Sequence, residues 1–99
     1  MTLFAKRLKE ARLRAKISQE KLGVLAGFDE MSASARMNQY ETGKHVPLFS
    51  DAERIATALN LPASYFYADD ESARLLVAFH RLGRKAKAHV ISVAESLPD

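Results

Sequence analysis

Cysteine is absent from the 99 residues, which removes both a disulfide framework and a thiolate zinc site and makes a cytoplasmic life the simple expectation. Apolar runs of signal-peptide or membrane length are missing too. The opening Met1-Thr2-Leu3-Phe4-Ala5-Lys6-Arg7 is amphipathic and soon charged, so no membrane partner is expected. Histidine is scarce: His45, His80 and His89 make no HxxxH pair, and with no cysteine to join them a metal site is not expected. Glycine-rich phosphate loops are lacking, and no Ser/His/Asp set stands out because the serines read mostly as helix caps. Catalysis and cofactor chemistry are therefore not expected. Strand-like alternation, internal repeats and low-complexity tracts are also absent, so the chain should be all-helical.

A chain of this length can bury a real core without staples. Its formal charge is only +3, but the charge is unevenly spread. Residues 1–27 carry seven Lys/Arg against two Glu, residues 28–70 three against seven acids, and residues 71–99 five against three. A basic front end suits a polyanionic partner.

Phe4, Leu8, Ala11 and Ala15 recur at helical spacing and predict a first amphipathic helix over about 2–15. Ser18 is placed to cap a second helix running to about Ala26, with Glu20 near its positive end; Lys21 stands where a complete capping box would need Glu or Gln. Gly27 ends that helix. After Asp29-Glu30-Met31-Ser32, a third helix should begin at Ala33 or Ser34 and end at Thr42, with Gly43 as its stop. Ser50 is the expected cap of a fourth helix, Asp51 to Leu59, striped by Ala52, Ile55, Ala56 and Leu59. The three prolines, Pro47, Pro62 and Pro98, all fall where helices should start or stop. A short fifth helix over Ala63–Tyr67 is expected, then a sixth from Asp69-Asp70 to about Leu82 and, after Gly83, a seventh over Arg84–Leu97.

Ile17 to Gly27, resumed at Arg36 to Lys44, thus reads as two short helices about a glycine turn. Such a pair braces one polar helix so that its side chains can enter a DNA major groove. Ser34, Ala35, Arg36, Asn38 and Gln39 form its expected exposed side. Asn38 and Gln39 can make paired hydrogen bonds to a base edge; Arg36 can read guanine or grip a phosphate; Ser34 can serve either purpose.

Ser18-Gln19-Glu20-x-Leu22, Ala26-Gly27, Met37-Asn38-Gln39-Tyr40-Glu41-x-Gly43-Lys44 and Ile55-Ala56-x-Ala58-Leu59-Asn60-Leu61 resemble the phage repressor/Cro family, also called the XRE family, over about residues 3–67. The resemblance implies a lambda-repressor-like five-helix domain that binds double-stranded operator DNA, usually as a dimer. It favours Ser34, Ala35 and Gln39 as base-facing and Gln19 as a phosphate contact, the latter helped by helix-end amides. Lys44 is a second candidate for the DNA backbone. His45 is a phosphate contact when protonated, or a plain loop residue. Alignment with the family sets Arg12 beside Glu41 as an ion pair between the first and third helices.

Leu22, Met37, Ile55 and Leu59 are expected in the core, and close packing of the second helix on the third would explain Gly23 inside a helix. Two departures from the family stand out. The stretch from Gly27 to Glu41 is about four residues longer than the common form, which should widen the turn; Asp29 and Glu30 either bend away from DNA or sit at the start of the third helix. Lys16 stands where the family often has glycine, implying a different closure or mild strain.

Beyond the 1–68 DNA-binding domain, residues 69–99 read as a C-terminal helical hairpin. Leu75, Leu76, Phe79 and Leu82 form one apolar stripe; Ala86, Val90, Val93 and Leu97 form another. This surface either closes a homodimer, with Leu75, Leu76, Phe79, Leu82, Val90, Val93 and Leu97 as contacts, or packs back on the five-helix core. His80 and His89 fall at partly buried or interface positions. Two functional expectations follow. One is a transcriptional regulator, repressor-type, that binds a near-palindromic operator as a homodimer. The other is an antitoxin of the same fold whose tail neutralises a toxin partner; an assembly domain without DNA affinity is a third.

Overall fold

The computed structural model describes residues 2–99; Met1, first residue of the amphipathic opening, lies outside them. The described residues form α1 (Leu3–Arg14), α2 (Gln19–Leu25), α3 (Glu30–Thr42), α4 (Phe49–Ala58), a 3-10 helix (Ala63–Tyr67), α5 (Asp70–His80) and α6 (Arg84–Ser96), with no strand among them. None of these helices is long and apolar enough to cross a membrane.

Local chemistry sets most of the helix ends. Thr2, Ser18 and Asp69 each accept a backbone N–H with their side chains, from Ala5, Lys21 and Ser72. Each satisfies a donor that the first turn would otherwise leave open. Gly27 and Gly43 terminate α2 and α3 with φ of +90° and +78°, a region that side chains with a Cβ resist. Lys16 adopts φ +59° at the end of α1, where glycine would be the relaxed choice.

Side chains from five helices, α1 to α5, and the 3-10 turn meet in one core. Leu8, Leu22, Met37, Ile55 and Phe66 are its largest fully buried members, and each contributes about 1.5–3 kcal/mol by leaving water. Leu59 is only half-buried against that cluster. Tight contact between α2 and α3 depends on Gly23: a Cβ there would lie 2.6 Å from the Ala33 Cβ and 2.9 Å from the Ala33 carbonyl oxygen. The mid-helix glycine costs about 1 kcal/mol in helix propensity, and it permits the closest helix approach in the fold's central pair.

Two helix starts differ from the sequence expectation. α3 begins at Glu30 rather than at Ala33 or Ser34, because the longer stretch after Gly27 is wound into an extra helical turn instead of a wider loop. Phe28 anchors that turn: it is buried in the core, with the guanidinium groups of Arg54 and Arg36 at 4.4 and 4.9 Å from its ring. Arg54 also donates to the Ala26 carbonyl at 2.9 Å, fastening α4 to the end of α2. α4 in turn begins at Phe49, with Leu48 as the cap residue instead of Ser50; its first bond runs from the Ala52 N–H to the Leu48 carbonyl. Pro47 is buried just before it, and Leu48 itself is extended, with φ −62° and ψ 153°.

α5 is fastened to this body. Ala73 is buried in the core and Val77 packs against it, while Arg7 of α1 reaches Ala68 and Asp70. The boundary expected between residues 68 and 69 therefore falls inside continuous packing. α6 is different. None of its residues is buried, and the molecule measures 50 Å along its long axis against 26 and 23 Å across. The two C-terminal stripes are covered only in part. Leu76, Phe79, Leu82 and Val90 are half-buried, whereas Leu75, Val93 and Leu97 remain exposed.

Candidate nucleic-acid interface

α3 turns Ala33, Met37 and Tyr40 into the core, so the residues between them must face outward. Ser34, Ala35 and Asn38 are exposed, and Gln39 is half-buried at the edge of the same face. Met31, one helical turn before Ala35, is 93% exposed and extends this face toward the helix start. It was not expected from the sequence, because the segment holding it read as loop. Its signal is the i, i+4 spacing to Ala35, visible only once the helix is started at Glu30.

Arg36 departs from the group. Its guanidinium lies over Phe28, and it shares with Gln39, His45, Val46 and Leu48 a groove on the α4 side of α3. Lys44 and His45 are both exposed in the loop after Gly43, which is tied back by a bond from the His45 N–H to the Gln39 carbonyl at 3.2 Å. Asp29 and Glu30 sit at the positive end of α3, where negative charge is favourable.

Behind the exposed face stands an ion pair whose carboxylate is buried and whose guanidinium is half-buried. Arg12 Nε donates to Glu41 Oε2 at 2.6 Å and Arg12 Nη2 to Glu41 Oε1 at 3.0 Å, a two-pronged arrangement. Arg12 Nη1 also donates to the Ile17 carbonyl at 2.9 Å, so a single guanidinium joins α1, the turn before α2, and α3. The Glu41 hydrogen bond raises the Arg12 pKa above its ordinary value, against the opposing effect of burial. Gln19 Nε2 donates to the same carboxylate at 3.4 Å. Gln19, Asn38 and Thr42 therefore line one shallow groove with the ion pair as its floor, which sets the start of α2 beside the outward face of α3.

The observations so far give two helices in tight contact about a glycine turn, with the second polar outward and braced from behind. Residues 3–64 match the family model described as helix-turn-helix domain. The crystal structure of transcriptional regulator BswR is 44% identical to this chain, with a TM-score of 0.84, covering 94% of this chain and 93% of that one. This chain belongs to the helix-turn-helix regulators of the XRE type. Comparison with curated proteins gives no significant match.

For an XRE-type regulator, the useful property of this arrangement is rigidity. α3 is a DNA-binding helix only if its outward side chains keep a fixed pose while phosphate contacts set the register. Gly23 against Ala33 fixes the distance between the two helices, Arg12–Glu41 fixes α3 on α1, and Arg54 with Phe28 fixes the turn. Sequence reasoning found the second of these devices through the family resemblance. The third was missed, because Phe28 and Arg54 are far apart in sequence and neither belongs to a motif.

Proposed function

We propose that this DNA-binding regulator is a repressor that grips a near-palindromic operator as a homodimer. The observation that supports this most directly is the outward face of α3, with Ser34, Ala35, Asn38 and Gln39 free of the core. Asn38 and Gln39 offer amides for paired hydrogen bonds to adenine, Ser34 a hydroxyl for either kind of partner, and Ala35 with Met31 apolar surface for a thymine methyl. Arg36, held over Phe28, serves the DNA backbone at the flank of the site rather than a base. Gln19, Lys44 and His45 complete the phosphate contacts. Repression follows from occupancy: a protein seated on promoter DNA excludes the polymerase.

The apolar residues of α5 and α6 supply the dimer contact in this reading. Leu75 is 61% and Leu97 65% exposed, and Ile91 and Val93 add to that surface. Two copies joined there would present their α3 helices about one DNA turn apart, roughly 34 Å. Selection of bound sites from random duplex DNA tests the reading, with an enriched palindrome expected. Gln39→Ala should then weaken binding by about 1–3 kcal/mol and relax preference at one position. Lys44→Ala should weaken all sequences alike and lower the salt slope by about one. Unchanged preference in Gln39→Ala would remove Gln39 from the base-reading set. Sedimentation showing a monomer that pairs only with a different protein would favour the toxin-neutralising role.

A further inference from the structure

A second polar concavity lies away from α3. α1 and α5 diverge from the Arg7–Asp70 contact and leave between them a groove of about 630 Å³, large enough for a small organic molecule. Lys6 and Arg14 stand on its α1 wall and Arg74 and Arg81 on its α5 wall, with Val77 and Ala78 supplying aliphatic surface; Tyr65 lies beneath, covered by the Arg7 guanidinium. Arg7, Glu10 and Asp70 also border it, and their charges are already spent on one another. Arg7 donates to Asp70 at 2.7 Å and to Glu10 at 3.3 Å, and Lys6 stands 3.9 Å from Asp70. Arg14, Arg74 and Arg81 form no ion pair among the described residues. Three unneutralised guanidinium groups thus face one groove from both of its walls.

DNA phosphate does not account for them. On α1, the side chains that border the α3 side are Lys9 and Arg12, whereas Lys6, Arg7, Glu10 and Arg14 border the α5 side. The groove therefore opens on a different flank of α1 from the face that carries Asn38 and Gln39. It also differs from the apolar stripe of α5. Arg74, Ala78 and Arg81 follow one helical row into the groove, and Leu75, Phe79 and Leu82 follow another away from it.

We propose that the α1–α5 groove is a binding site for a small organic anion, a carboxylate or sulfonate with an aromatic or aliphatic body. The anionic group is held by Arg14, Arg74 and Arg81, which offer forked donors to its oxygens. The body lies against Val77 and Ala78. Because the ligand touches both walls, it adds a link between α1 and α5 and favours one pose of α5 on the body. The site stands whether or not α5 and α6 join two copies.

Anilinonaphthalene sulfonate is a suitable probe, since it combines an anion with an aromatic body and reports its own burial by fluorescence. Titration of the full chain, followed by fluorescence and by calorimetry, should show saturable binding with one site per chain. The double variant Arg74→Gln/Arg81→Gln, whose positions are exposed, should bind about tenfold or more weakly. Leu75→Ser/Val93→Ser should bind as the parent does. Inorganic phosphate, which has no body to bury, should compete at least about tenfold less well than the probe. Probe binding that survives loss of the two arginines but falls with Leu75 and Val93 would overturn the proposal, as would phosphate competing equally. Binding that appears only after residues 97–99 are removed would assign the groove to Asp99, and would overturn it too.

Discussion

The body that carries α3 and the helix that closes the sequence, α6, are built on opposite principles. In the body, helices approach until a single methyl group would not fit between Gly23 and Ala33, and one buried and one half-buried guanidinium group bolt helices together. α6 is as long as α3, yet it buries none of its residues, although Val90, Ile91 and Val93 give it an apolar side. Amphipathic pattern alone therefore does not produce burial. What separates the two regions is the presence of small residues and paired charges that let one helix dock on another. α6 has neither against the body, and it meets α5 through Lys87, which stands above the Phe79 ring at 5.6 Å.

The largest expected effect is on the side of the comparison that is bolted. Glu41→Ala strands the Arg12 guanidinium, 13% exposed at its side chain, beside a vacated carboxylate site. It should cost about 3–5 kcal/mol in chemical denaturation. A loss below about 1 kcal/mol, the usual worth of a surface ion pair, would show that the pair is not what holds α3 on α1.

Gly23→Ala comes next. The added methyl meets a backbone carbonyl as well as the Ala33 methyl, neither of which can swing away. Overpacking of about 1–3 kcal/mol should outweigh the gain of about 1 kcal/mol in helix propensity, leaving a net destabilisation. DNA affinity should fall as well, since α3 is displaced. A more stable variant would mean that α2 and α3 separate more easily than their contact suggests.

Smallest in stability is Val93→Ser on α6. Its side is already in water, so unfolding of the chain at low concentration should move by no more than about 0.5 kcal/mol. The sedimentation profile should nevertheless shift toward the monomer. Lost stability at low concentration would bring α6 into the body and dissolve the contrast between the two regions.

Much of the body is legible in the residues because the signals are local. Ser18 before an apolar repeat, Gly27 and Gly43 as left-handed stops, and the stripe from Ala52 to Leu59 each act over a single helical turn. Arg12 with Glu41 required the family resemblance, since nothing within either helix indicates the other. Lys16, at a position where the family often has glycine, indeed takes a left-handed backbone. Other features left no local trace. The start of α3 was misplaced because Asp29-Glu30-Met31-Ser32 is polar enough for a loop, and only the burial of Phe28 beneath Arg54 and Arg36 winds it into helix. Arg7 gave no warning either: it reads as one more basic residue of the front end, yet it is 4% exposed and caps the Ala68 carbonyl.

The amino-acid order by itself determined where most helices start and stop, which faces are apolar, and that one helix of a glycine-linked pair is polar outward. These depend on interactions within about one turn, and such interactions are written side by side in the chain. Tertiary structure alone decided which cations are buried and which are free, where Arg36 points, and how far α6 stands from the core. Those outcomes depend on which distant groups meet once the helices pack. A guanidinium has the same formula whether it closes on Glu41 or faces an open groove.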